Sequence, residues 1–140
     1  MKEITLALTA MILLTQEVHS TESCDDDNGS TQKYICESNM SYSKSANELN
    51  NHYEELLSIF EREIKAENYN ANFKEMKSSL ISSQAAWNGY IDKQCLYQNS
   101  IDSMTSGAPA LEYICKEEFI KERTKFLLGE IEQWKDGSLK

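Results

Sequence analysis

The chain has 140 residues, 14 basic against 23 acidic side chains and a formal net charge of −9. That balance excludes unaided nucleic-acid binding, which needs cations to neutralise phosphates. It would speed association with a strongly basic partner by electrostatic steering, and it equally serves simply to keep the protein soluble. With one proline, four cysteines and no internal repeat or linker, the composition fits one small domain.

Residues 1–20 read as a secretory signal peptide. Met1, Lys2 and Glu3 precede an apolar run from Ile4 to Leu14, and the small residues Val18 and Ser20 suit a cleavage site. The run is too short for a bilayer span, which takes about 20 apolar residues, so no stable membrane span is expected after cleavage. Removing residues 1–20, which carry Lys2, Glu3 and Glu17, leaves −8. Export predicts a periplasmic or secreted protein whose Cys24, Cys36, Cys95 and Cys115 are oxidised. Of the three possible pairings, the sequential one, Cys24–Cys36 with Cys95–Cys115, closes two short loops and is the expectation. A zinc site is disfavoured, because the spacings are not C-x-x-C and His52 stands far from any cysteine. No metal and no cofactor is expected.

Residues 21–29 are polar and acidic. Asp25, Asp26, Asp27 and Gly29 suggest a calcium loop, but with Gly29 sixth the first ligand is Cys24 and the twelfth Ile35, where a Glu is required. An exposed turn is the better reading. A first helix begins at Ser30 or Thr31, either a fair N-cap. Ile35, Ala46, Leu49, Tyr53, Leu56, Leu57, Phe60 and Ile64 follow at mostly helical spacing. The serine-rich stretch 37–45 breaks the pattern and predicts a kink or break, and Glu61 with Lys65 offers an i,i+4 ion pair. After a loop at 68–72, a second helix is expected over 73–97, with Phe73, Met76, Leu80, Gln84, Trp87 and Ile91 inward. A loop over 99–109 holds Gly107 and Pro109. The third helix should start near Pro109 or Ala110 and end near Trp134, with Leu111, Cys115, Phe119, Phe126, Leu127 and Ile131 on its apolar side.

No segment alternates with period two, so the fold class is all-α: three principal helices in a disulfide-stapled bundle. The organisation expected is a signal peptide at 1–20, a helical domain at 21–134 and a frayed tail at 135–140. A Cys95–Cys115 bridge makes the later helices an antiparallel hairpin, with Trp87 opposite Arg123 and Asp92 opposite Glu118. Arg123 over the Trp87 indole would add a cation–π contact of about 0.5–2 kcal/mol, and its guanidinium could also reach toward Asp92.

In order along the chain stand Cys24, Ser30-Thr31-Gln32, Cys36, Ala46, Leu49, Asn50, Tyr53, Gln84, Ala86, Trp87, Tyr90, Asp92, Cys95, Gly107, Cys115 and Arg123. This pattern resembles the LprI-type lysozyme inhibitor family, small exported helical domains of bacterial envelopes, and the 84–95 block is its most specific part. The chain departs from the family at Ile91, usually Arg, at Asn47, usually Asp, and at Phe119-Ile120, usually Leu-Thr. The resemblance implies an inhibitor whose partner is lysozyme or another basic, wall-degrading hydrolase. The structural cluster would be Gln84, Trp87, Tyr90, Asp92 and Arg123. The partner-binding candidates are the 99–109 loop with Gly107 and an acidic rim of Glu112, Glu117 and Glu118. A periplasmic immunity protein or an envelope adaptor is the alternative. No catalytic residues are expected: His52 lies on a helix among carboxylates with no serine in a nucleophile setting, and no phosphate-cradling loop occurs.

Overall fold

The computed structural model describes residue 24 and residues 29–66, 72–102 and 106–136. The expected signal peptide, the acidic turn at 25–28 and residues 137–140 lie outside the described residues. Three helices follow one another: α1 (Gly29–Lys65), α2 (Phe73–Asp102) and α3 (Ala108–Asp136). The chain is all-α, as expected, and among the described residues no helix is long and apolar enough to cross a membrane.

The starts of α2 and α3 have local causes. Asn72, expected in the loop, caps α2: its side-chain oxygen accepts from the Glu75 amide at 3.3 Å, and its own amide meets the Glu75 carboxylate. Asn72 is thus the N-cap of α2, with Glu75 at the third helical position meeting its side chain. At α3 the Gly107 carbonyl accepts from Ala110 at 2.9 Å, with Pro109 in the first turn, where its missing N–H costs nothing.

The helix α1 runs unbroken through residues 37–45, contrary to the expected break. Three of the four serines there have partners. Ser38 is buried and donates to the Tyr34 carbonyl at 2.8 Å, while Ser41 and Ser45 donate to Glu117 of α3 at 2.8 and 3.3 Å. The pattern is polar because its neighbour is polar, and the backbone stays helical.

The core lies chiefly between α1 and α3. The helix α3 buries Glu117, Ile120, Thr124, Leu127, Ile131 and Trp134, an alternating three-and-four spacing that makes one continuous seam. Against it α1 sets Leu49, Leu56, Ile59 and Phe60, whereas α2 gives this cluster only Phe73 and Leu80. Tyr42 with Tyr113 at one level and Phe60 with Trp134 at another show α1 and α3 running parallel. Phe126, expected inward, is 54% exposed. It lies off the seam, which the polar members Glu117 and Thr124 had hidden from an apolar count. Thr124 tolerates burial by donating to the Ile120 carbonyl at 2.9 Å.

The three helices are clasped at one end by aromatic rings. Trp134 meets Phe60 edge-on at 5.8 Å and Phe73 at 5.4 Å. Such contacts contribute about 0.5–1.5 kcal/mol each beyond burial. Nearby, Glu61 pairs with Lys77 of α2 at 2.6 Å rather than with Lys65. Towards the other end of α2, Cys95–Cys115 bridges α2 to α3, and Cys24–Cys36 ties residue 24 to α1, so the sequential pairing holds.

Because α2 contributes little to the seam, the Cys95–Cys115 bridge should matter most to α2. Replacing both cysteines with serine is expected to lower stability by about 3 kcal/mol. Amide hydrogen exchange in α2 should accelerate more than in α1 or α3. Equal acceleration in all three helices would contradict this division.

Candidate partner-binding site

The residues of the 84–95 block divide between two surfaces. Leu80, Gln84, Ile91 and Cys95 are buried, as their common helical face predicts. Trp87 is only half-buried. It lines an open groove of about 550 Å³ between α1 and α2, together with Tyr42, Asn50, Tyr53, Gln84 and Asn88. Burial, and then the neighbouring Glu54, push the Tyr53 phenol above its usual pKa, and Arg123 opposes them.

Arg123 does not sit over Trp87. Its Nε donates to Gln84 Oε1 at 3.1 Å, its terminal amino group donates to Ser83 Oγ at 3.4 Å, and its guanidinium lies 5.2 Å from the Phe126 ring centre. Gln84 is one turn from Trp87, and its buried amide demands a partner that the indole face does not. The amide therefore takes the guanidinium, and the cation–π contact forms with Phe126, on α3 itself. Gln84 completes its bonding by donating to Asn88 at 3.2 Å. Desolvation lowers the Arg123 pKa, with Tyr53 opposing it.

Asp92 faces Lys116 rather than Glu118, at 3.0 Å, and the same ammonium reaches Glu112 at 3.0 Å. Burial alone would push Lys116 down, but its two carboxylate partners hold its pKa above the ordinary value. Opposite charges thus set the pairing that was expected to oppose two acids. Tyr90 packs edge-on against Phe119 at 5.8 Å on the outer face of the hairpin.

The candidate partner-binding residues also separate. Because α2 continues to Asp102, the connection to α3 is shorter than the expected 99–109 loop. Gly107 stands at its α3 end, with open space where a Cβ would be. Glu118 is exposed with no charged partner among the described residues, whereas Glu112 is tied to Lys116. Glu117 is not part of a rim: it is 8% exposed and lies in the α1/α3 seam. There it accepts from Ser41 and Ser45 and pairs with Lys121 at 2.7 Å. The Lys121 bond chiefly, against the cost of burial, holds its carboxyl below the usual range. The Ser41–Ser45–Glu117 triad was legible only as a gap in the apolar pattern. Near the tip of the α2/α3 hairpin, Leu96, Tyr97 and Ile101 are 58%, 64% and 64% exposed. Among the described residues no group of three His, Cys, Asp or Glu side chains could hold a metal ion.

Replacing Glu117 with Ala should cost about 0.5–1.5 kcal/mol, since the bonds from Ser41 and the partly buried Ser45 are lost. A lowered folded-state pKa means that this carboxylate stabilises the fold above the ordinary carboxylate range. Its contribution is lost as pH falls through the folded value. Thermal melts across acidic pH should therefore be less pH-dependent for Glu117→Gln than for the parent, and identical pH slopes would refute this assignment.

No curated protein and no solved structure matches the chain. The family described as "Lysozyme inhibitor LprI" matches over residues 24–127, which take in both disulfides, Trp87, Arg123 and the seam as far as Leu127. The described function is inhibition rather than catalysis, and two disulfides fit an oxidising compartment. The chain belongs to the LprI lysozyme inhibitor family.

Proposed function

We propose that the protein is exported and inhibits lysozyme-type muramidases by docking on the basic enzyme and blocking its cleft. The observation that carries this reading is the family match over residues 24–127. Charge supports it, because a chain of −8 after export is complementary to a basic enzyme.

The docking element in this reading is the tip of the α2/α3 hairpin. Cys95–Cys115 ties the two helices together covalently close to this tip, which limits their relative motion. Tyr97 and Ile101 stand exposed on the tip as apolar anchors, with Glu118 alongside as an unpaired acid. Aromatic anchors at the centre of an interface with charge at its rim are the usual source of affinity. Limited motion lowers the entropy lost on binding. A stable complex would bury at least about 1,200 Å² in total, so the tip would be its centre and flanking surface its rim.

Titrating several basic lysozymes with the oxidised protein should abolish muramidase activity at micromolar concentrations, with weaker inhibition at high salt. No loss of activity against any of them would remove the proposal. The double variant Tyr97→Ala, Ile101→Ala should inhibit at least about tenfold less well while keeping its helical content. Undiminished inhibition by that variant would move the docking surface elsewhere.

A further inference from the structure

The α1/α2 groove has a chemistry that blocking an enzyme with the hairpin tip does not use. Its volume of about 550 Å³ falls within the range of small-molecule sites, roughly 300–1,000 Å³. Leu49 and Ile91 give it an apolar floor, and Trp87, Tyr42 and Tyr53 add aromatic rings. Among the described residues the Tyr42 and Tyr53 hydroxyls and the Asn50 carboxamide have no hydrogen-bond partner. Asn88 uses only its oxygen, leaving two N–H donors. The one charged lining residue, Asp92, is already paired with Lys116.

The groove therefore offers apolar rings interleaved with neutral donors and acceptors. The cation that acts on Tyr53, Arg123, is not among the lining residues and already donates to Gln84 and Ser83. A partner helix would bring an apolar stripe and leave the phenols and carboxamides buried without partners, which is unfavourable. A sugar ring meets both requirements, since its C–H face packs on an aromatic ring while its hydroxyls exchange hydrogen bonds with carboxamides and phenols. We propose that the α1/α2 groove is a binding site for a neutral oligosaccharide, with Trp87 as the stacking platform and Asn50 and Asn88 as hydrogen-bonding partners. This site is separate from the hairpin tip and does not depend on the inhibitor reading.

The two tryptophans make the test internally controlled. Trp134 is 4% exposed among the aromatic rings of the clasp, whereas Trp87 lines the groove. In proton–nitrogen NMR spectra of the oxidised protein, with Trp87→Phe identifying its signal, an N-acetylglucosamine trimer and a glucose trimer would be titrated separately to about 10 mM, equivalent to weak binding of about 3 kcal/mol. The Trp87 indole signal should shift saturably with at least one sugar while the Trp134 signal stays in place. Asn50→Ala with Asn88→Ala should weaken binding at least about tenfold, and Ala85→Arg, at an exposed lining position, should abolish it. Unchanged circular dichroism would show that these exposed substitutions leave the helices intact. The proposal is overturned by an immobile Trp87 signal with both sugars, by both indoles shifting alike, or by an Ala85→Arg variant that binds as the parent does.

Discussion

The parallel seam between α1 and α3 is the contact on which the rest of the molecule depends. Leu49, Leu56, Ile59 and Phe60 face Ile120, Leu127, Ile131 and Trp134, and the α1–α2 connection lies at the end closed by Trp134. Parallel neighbours cannot be joined by a tight turn, so an antiparallel α2 must return the chain along the pair. The second helix is therefore both a connector and a wall. Its few core residues are supplemented by covalent and polar attachments to α3: the Cys95–Cys115 bridge, the Arg123–Gln84 bond and the Lys116–Asp92 pair.

Glu117 gives this seam its specificity. A buried carboxylate is tolerated only with partners, and it has two serine hydroxyls from α1 and an ammonium from its own helix. Sliding α3 by one turn along α1 would take it away from Ser41 and Ser45. The apolar members resist such a slip through packing, and the carboxylate adds a polar pairing that only one alignment satisfies. The carboxylate thus defines the alignment, and with it the level at which Phe60 and Phe73 meet Trp134.

Much of this was legible in the chain and some was not, for identifiable reasons. Helix number, both disulfides and the inward positions Phe73, Leu80, Gln84 and Ile91 follow from apolar spacing and cysteine arithmetic. The continuity of α1 through residues 37–45 does not, because serines that pair with a distant carboxylate look locally like a break. For the same reason Phe126 was expected inward and Glu117 on an outer rim, although Leu127 and Ile131 do lie in the seam as their spacing predicts. Trp87 was expected between α2 and α3 because size suggests burial. Trp134 instead fills the clasp, and Trp87 borders a groove. Hairpin register was readable to within a turn. The choice among Trp87, Gln84 and Phe126 as neighbours for Arg123 was not, because it turns on which buried group lacks a bond.

The light share that α2 takes in the core has an evolutionary consequence. A wall that does not carry the interior can be rewritten at positions such as Asn88 without unfolding the pair it leans on. Drift along the third helix is held in check by its neighbour, because seam side chains have counterparts on α1. Tolerance of change should accordingly be highest at those α2 positions that neither reach the core nor hold this helix to the third.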